Sequence, residues 1–146
     1  MKIFIDTSSL AKRYVQEPGS DELDELYRSA IEAVYISTLA IVEFSAAIRR
    51  KIRNKDILER AGSYAMQEFE EDWQGWLTKI PLTEELAELA ASLAIRYPLK
   101  GSDAVHLSSA AAIGVDLFVT SDMNLLKTAK KIGIKSYNPV NGFYKR

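Results

Sequence analysis

After Met1, the chain opens with Lys2-Ile3-Phe4-Ile5 and continues directly into Asp6-Thr7-Ser8-Ser9. The first run is short, apolar and rich in β-branched and aromatic residues, which is typical of a buried strand. The polar residues after it are of the kinds that begin helices, so the pattern predicts a strand, a turn and a helix over 10–16. Because the strand is apolar throughout rather than alternating, it favours a parallel sheet covered on both faces.

The same order of strand and helix recurs along the chain. Glycines follow two of the predicted helices at Gly114 and Gly133, a position where helices commonly end. Asp56 is expected to cap the helix that begins at Ile57. Strands alternating with helices predict the α/β fold class. The further strands are predicted at 33–36, 76–80, 117–120 and 135–137, and the further helices at 23–30, 39–53, 57–74, 84–97, 103–113 and 122–132.

Composition limits the possible functions. The 146 residues suit a single domain over 1–146. The formal net charge is −1, so no overall positive field attracts nucleic acid or a membrane, and a polyanion must be held locally. The absence of cysteine excludes disulfides, a thiolate nucleophile and cysteine-bound metals. Neither a signal peptide nor a membrane-spanning run is visible, which predicts a soluble cytoplasmic protein without membrane contact.

Three aspartates are expected at one edge of the sheet. Asp6 follows the first strand directly, and Asp122 follows the strand over 117–120 with one residue between. The carboxyl ends of parallel strands share an edge, where such sheets bind their ligands. Asp103 lies in the first turn of a helix that begins at the same edge. Each aspartate, taken alone, is explained equally well as a helix cap.

Glu43 is the only charged residue between Thr38 and Ile48, in a helix that is otherwise mostly apolar. A buried, unpaired carboxylate is costly, so its surroundings should supply a cation, a metal ion or hydrogen bonds. Glu43 is therefore either a hydrogen-bonded core acid or a fourth member of the acidic site. Four gathered carboxylates repel one another unless a cation compensates. With no cysteine and one histidine in the chain, oxygen ligands favour Mg²⁺ or Mn²⁺.

These motifs resemble those of PIN-domain nucleases, most closely the VapC-type toxins, and the resemblance spans almost the whole chain. It implies an α/β/α sandwich around a short, mainly parallel central sheet and Mg²⁺- or Mn²⁺-dependent endonucleolytic cleavage of RNA to a 5′-phosphate and a 3′-hydroxyl. It also implies a homodimer that a cognate antitoxin protein neutralises. The motifs that carry the resemblance are Asp6-Thr7-Ser8, Val42-Glu43-Phe44, Gly101-Ser102-Asp103-Ala104-Val105-His106-Leu107 and Val119-Thr120-Ser121-Asp122.

Metal-assisted hydrolysis is favoured because metal-free RNA cleavage commonly uses two histidines and this chain has one. Our hypothesis is that Asp6 and Asp103 hold the principal ion. Asp122 would bind it directly or through water, and Glu43 would either ligate it or orient the attacking water. A catalytically silent PIN-like module that binds RNA or protein is the alternative.

Hydroxyl and basic side chains near these motifs have two interpretations. Four hydroxyl residues either fix the carboxylates from a second layer or cap helices, and capping is favoured for Thr7 and Ser121. His106 is expected to pack in the helix with one satisfied nitrogen rather than to bind metal. Four cations either bind RNA phosphates or, on the third helix, only complement the helix dipole. The hydroxyl residues are Thr7, Ser8, Thr120 and Ser121, and the cations are Lys12, Arg13, Arg49 and Arg50.

Overall fold

The computed structural model describes residues 1–145, so the last residue of the predicted domain, Arg146, lies outside the described residues. The chain alternates between strands and helices as predicted. The strands are β1 (Lys2–Ile5), β2 (Ala33–Ser37), β3 (Thr78–Ile80), β4 (Leu117–Val119) and β5 (Ser136–Tyr137). The helices are α1 (Thr7–Leu10), α2 (Ser20–Arg28), α3 (Leu39–Arg53), α4 (Glu59–Gly75), α5 (Glu84–Arg96), α6 (Gly101–Ile113) and α7 (Met123–Lys131), with 3-10 turns at Ala11–Arg13 and Pro139–Asn141.

The five strands form one sheet in the order β3-β2-β1-β4-β5, and all paired strands are parallel. Side chains of β1 alternate between the two faces of the sheet, because successive residues of a strand point to opposite sides. Ile3 and Ile5 belong to a core formed with α2, α3 and α4, whereas Phe4 belongs to a core formed with α5, α6 and α7. This three-layer arrangement confirms the predicted α/β/α sandwich.

The strand order at the centre of the sheet determines where the residues that follow β1 and β4 lie. From β1 the chain winds outwards to β2 and β3 on one side, and later to β4 and β5 on the other. Ile5 pairs with Val119, so the carboxyl ends of β1 and β4 lie side by side. A reversal of strand order opens a crevice at this edge, which is where open α/β sheets bind ligands.

Several predicted helix starts are wrong, since α2 begins at Ser20 rather than 23 and α6 at Gly101 rather than 103. Two further errors have a local cause. The helix predicted over 10–16 is instead the short α1 followed by a 3-10 turn, because the Asp6 carboxylate accepts the Ser9 N–H and starts the helix at Thr7. Asp56 does not cap α4, whose N-cap is Leu58 and has no side-chain cap. The Asp56 N–H still bonds to the Lys51 carbonyl at 2.9 Å, so this residue belongs to the turn that ends α3.

No helix formed by residues 1–145 combines the length and the apolar character needed to cross a membrane.

Candidate active site

A cleft of about 350 Å³ opens beside the carboxyl ends of β1 and β4. Glu43, Asp103 and Asp122 line it, so three of the four predicted acids share one cavity. The fourth, Asp6, is only 2% exposed and lies close enough to Asp103 that its charge raises the pKa of that residue. The structure therefore brings all four carboxylates to one region, with Asp6 buried beside the cleft.

Asp6 is held by a ring of donors. The Ser9 N–H donates to Oδ1 at 3.0 Å, and the Thr120 hydroxyl donates to Oδ2 at 2.6 Å. The Ser8 hydroxyl lies 2.8 and 2.9 Å from the two oxygens and has one proton to give. Three donated protons against about four acceptor sites leave one acceptor site of the Asp6 carboxylate without a donor from the protein. Burial raises the pKa of Asp6, and these hydrogen bonds and the His106 charge oppose that rise.

Asp103 and Asp122 differ in how they are held. Asp122 is the N-cap of α7, and its Oδ1 accepts the Leu125 N–H at 2.8 Å. Burial, then the charges of Asp122 and Asp6, raise the pKa of Asp103, while the charges of His106 and Lys100 lower it. Asp103 is thus a carboxylate held among like charges, an arrangement that a bound cation relieves.

The partner of Glu43 is His106. Glu43 Oε1 lies 2.5 Å from His106 Nε2 and accepts the Thr7 hydroxyl at 2.9 Å. Burial alone would raise the pKa of Glu43, but the hydrogen bond and charge of His106, with the Thr7 hydroxyl, bring it below its usual range. One oxygen of Glu43 is therefore fixed by α1 and α6, and the residue is kept ionised at the edge of the cleft.

His106 is not placed to ligate a metal ion. A carboxylate only accepts hydrogen bonds, so His106 Nε2 must donate to Glu43. The other ring nitrogen, Nδ1, is buried and has no hydrogen-bond partner among residues 1–145. The ring nitrogen that faces Glu43 thus carries a proton and offers no lone pair to a metal ion. The expected packing with one satisfied nitrogen is what the structure shows.

The model of the PIN domain family matches residues 3–131. The chain belongs to the PIN domain family. Ribonuclease VapC49 of Mycobacterium tuberculosis (strain ATCC 25618 / H37Rv) is 33% identical to this PIN domain over 112 residues, which are 77% of this chain and 76% of that relative. The predicted resemblance to VapC-type PIN domains is therefore confirmed.

Solved structures agree with the PIN-domain fold. The crystal structure of VapC20 from Mycobacterium tuberculosis, a Sarcin-Ricin loop cleaving toxin, matches with a TM-score of 0.71 at 18% identity, over 90% of this chain and 95% of that one. The DNA-bound VapBC from Salmonella typhimurium matches with a TM-score of 0.68 at 16% identity, over 95% of this chain and 98% of that one. At these identities the matches show the shared fold.

Thr7 and Ser121, the two hydroxyl residues of this PIN domain that were expected to cap helices, do not do so. Thr7 donates to Glu43, and Ser121 Oγ lies 2.9 Å from Ser9 Oγ while its N–H donates to Ser8. The cap positions are taken by Asp6 and Asp122, each of which stands one residue before its helix begins. Capping was therefore wrong for Thr7 and Ser121, and within residues 1–145 the Ser121 hydroxyl makes no hydrogen bond to a carboxylate.

Only one of the four candidate RNA-binding cations, Arg50, lines the cleft of the PIN domain. The other three are tied to acids: Lys12 to Glu17, Arg13 to Asp72 and Arg49 to Glu59. Arg49 and Arg50 are neighbours in α3, but Arg49 pairs with Glu59 and does not line the cleft. The structure also brings Lys51, from the same basic run of α3, and Lys100 to the cleft, and nothing in the sequence indicated Lys100 as a site residue.

The donor set of this PIN domain fits a hard divalent ion, on which PIN-domain ribonucleases generally depend. Oxygen ligands are what such an ion prefers, and the mutual repulsion that raises the pKa of Asp103 is what it would neutralise. Within the described residues, no group of three or more His, Asp or Glu side chains is arranged to hold a metal ion by itself. Mg²⁺ is commonly held by one or two carboxylates together with water and substrate phosphates, so an open acidic cleft suits it.

We expect Thr120→Val to destabilise the PIN domain by about 1–3 kcal/mol, because buried polar groups would lose their partner. Thr120 is fully buried, donates to Asp6 and accepts the Asp122 N–H at 3.1 Å. Urea unfolding measures the loss, with Thr120→Ser, which keeps the hydroxyl, as the control. Equal stability of the valine variant and the wild type would show that this hydroxyl does not hold the aspartates.

Proposed function

We propose that this chain is a Mg²⁺- or Mn²⁺-dependent endoribonuclease and the toxin component of a type II toxin–antitoxin pair. The observation that carries the proposal is the cleft lined by Glu43, Asp103 and Asp122, with the charge of buried Asp6 acting on Asp103. Such a set of carboxylates is unfavourable by itself and favourable around a divalent ion. The relationship to Ribonuclease VapC49 supports RNA as the substrate.

Each acid has a separate role in the proposed reaction. Asp6 and Asp103 hold the principal ion, Asp6 through the lone pair that its three donors leave free. Asp122, already turned towards α7 by its cap bond, contributes directly or through water. Glu43, ionised and fixed at Oε1, either joins the ligands or orients the attacking water through its other oxygen. A bound divalent ion would lower the pKa of water and stabilise charge on the scissile phosphate.

The proposed activity is tested by incubating the protein with defined single-stranded and hairpin RNAs in Mg²⁺, Mn²⁺ or EDTA. We expect cleavage with either ion, none with EDTA, and products that carry a 5′-phosphate and a 3′-hydroxyl. Cleavage that survives EDTA, or products that end in a cyclic phosphate, would contradict the mechanism. Metal binding without cleavage of any RNA would instead favour a catalytically silent module.

The partners proposed with this function are a cognate antitoxin protein and a second copy of the chain, in the cytoplasm. Exposed apolar side chains such as Val42, Leu89 and Ile95 offer surface for a protein contact. Co-expression with a small neighbouring open reading frame tests the antitoxin, since a cognate partner should co-purify and suppress cleavage. Sedimentation of the free protein tests the homodimer.

Stability of the metal-free protein should fall as the pH rises above about 4. Unfolded aspartate titrates near 3.8, whereas burial raises the folded pKa of both Asp6 and Asp103, so deprotonation between these values favours the unfolded state. Glu43 acts in the opposite direction, because its lowered pKa adds stability that is lost only as the pH falls.

Thermal unfolding at several pH values, with and without Mn²⁺, checks this expectation. At neutral pH we expect Mn²⁺ to raise the Tm of the wild type, and Asp103→Asn to reduce both that rise and the loss of stability with pH. Glu88→Gln, at an exposed position of α5, is the matched control. Metal-free stability that instead increases steadily through this pH range would contradict the assigned pKa directions.

A further inference from the structure

The cleft continues from its acidic centre onto a basic stretch of α3. Glu43, Ala47, Arg50 and Lys51 all line the cleft and are spaced i, i+4, i+7 and i+8, so they form one stripe along the helix. The rise of about 1.5 Å per residue puts Arg50 roughly 10 Å along the helix axis from Glu43. Ala47 lies between Glu43 and Arg50. Its side chain is only a methyl group, so it does not block the surface that joins the acidic and basic ends of the cleft.

The carboxylate of Glu17 lies at the basic end of the cleft, which is formed by Arg50 and Lys51. Glu17 also lines the cleft, and its two oxygens bind two ammonium groups, Lys12 Nζ at 3.2 Å and Lys51 Nζ at 3.1 Å. Lys12 is 8% exposed, so its charge is fixed within the protein, whereas Lys51 is more accessible at 27%. Arg50, beside Lys51, is exposed. The position between the lysines is thus built to hold an anionic oxygen.

We propose that Arg50 and Lys51 bind phosphates of the RNA strand that flank the cleaved bond, and that Glu17 occupies Lys51 until an RNA phosphate displaces it. This inference rests on the proposed RNA-cleaving function and adds the direction in which the RNA strand leaves the acidic centre, along α3. The chain carries a net charge of −1, so affinity for a polyanion has to come from such a local cluster. Because Glu17 neutralises Lys51, it should weaken the binding of RNA that contacts only this basic end of the cleft.

Binding of a short fluorescein-labelled single-stranded RNA, followed by anisotropy over a range of salt concentrations, tests the proposal. Asp103→Asn with Mg²⁺ serves as the background, so that RNA is not cut. Each lost phosphate contact should reduce the slope of log K against log salt by about 0.7. We expect that reduction for Arg50→Ala and none for Arg49→Ala, the neighbour that points out of the cleft towards Glu59.

Glu17→Gln keeps an oxygen beside Lys12 but removes the competing charge, so it should tighten RNA binding and steepen the salt slope by about 0.7. That gain should vanish in Glu17→Gln/Lys51→Ala, because the freed group is Lys51. A gain that persists in the double variant would be a general charge effect and would overturn the role of Glu17.

The proposal and the proposed function fail in different ways. Equal slopes for Arg50→Ala and Arg49→Ala would overturn the phosphate contact even if wild-type protein cleaves RNA in Mg²⁺. Absence of both cleavage and RNA binding by the wild type would overturn the function and this inference together.

Discussion

Asp103→Asn should lower the rate of RNA cleavage by about 10²- to 10⁴-fold with Mg²⁺ present. Stabilisation of phosphate charge by a bound ion contributes several kcal/mol, and each 1.36 kcal/mol corresponds to a factor of ten. Asp103 lines the cleft among other acids, and its pKa is set by burial and by neighbouring charges. An amide in its place keeps the shape but removes the charge that would hold the ion.

Single-turnover cleavage of a labelled RNA measures this effect, and Glu88→Gln on α5 is again the matched control. The loss should come with weaker Mn²⁺ binding in calorimetry. The substitution removes a repelled charge, so the metal-free variant should be at least as stable as the wild type. Near-normal cleavage by the folded asparagine variant would remove Asp103 from the proposed mechanism.

Phe44→Ala should destabilise the protein by about 3–5 kcal/mol, the usual cost of removing a buried phenylalanine. Phe44 is fully buried, and its ring centroid lies 4.4 Å from that of Phe69 in α4 and 5.3 Å from that of Tyr14. It follows Glu43 directly in the chain, so the same packing that supports the core fixes this part of α3 against the cleft.

Urea unfolding measures this loss, with two controls. Phe44→Leu, which fills most of the space, should lose much less. Val42→Ala changes an exposed side chain of α3, 66% accessible, and should stay within about 0.5 kcal/mol of the wild type. A Phe44→Ala variant as stable as Val42→Ala would show that this aromatic cluster does not support the fold.

The sequence alone predicted the architecture and the acidic residues because both depend on local patterns. Apolar runs such as Lys2-Ile3-Phe4-Ile5 predict buried strands wherever they lie, and the polar residue after a parallel strand must emerge at the ligand-binding edge. Asp6 and Asp122 were found in this way. Glu43 stood out because a lone charge on an apolar helix needs a partner.

The tertiary structure alone decided which groups pair across the chain. His106 was expected to be satisfied at one nitrogen, but its partner, Glu43, lies 63 positions away and on another helix. Likewise, Lys51 meets Glu17 across 34 positions, a contact that no local pattern predicts.

The physical reason for this division is the range of the interactions. Helix and strand formation follows the spacing of apolar residues within a few turns, and the sequence states that spacing directly. Hydrogen bonds and ion pairs instead depend on distances of about 3 Å between atoms, which are set when the helices pack on the sheet. The sequence by itself therefore determined the sheet and its acidic edge. Packing decided which carboxylates and which cations pair with one another across the chain.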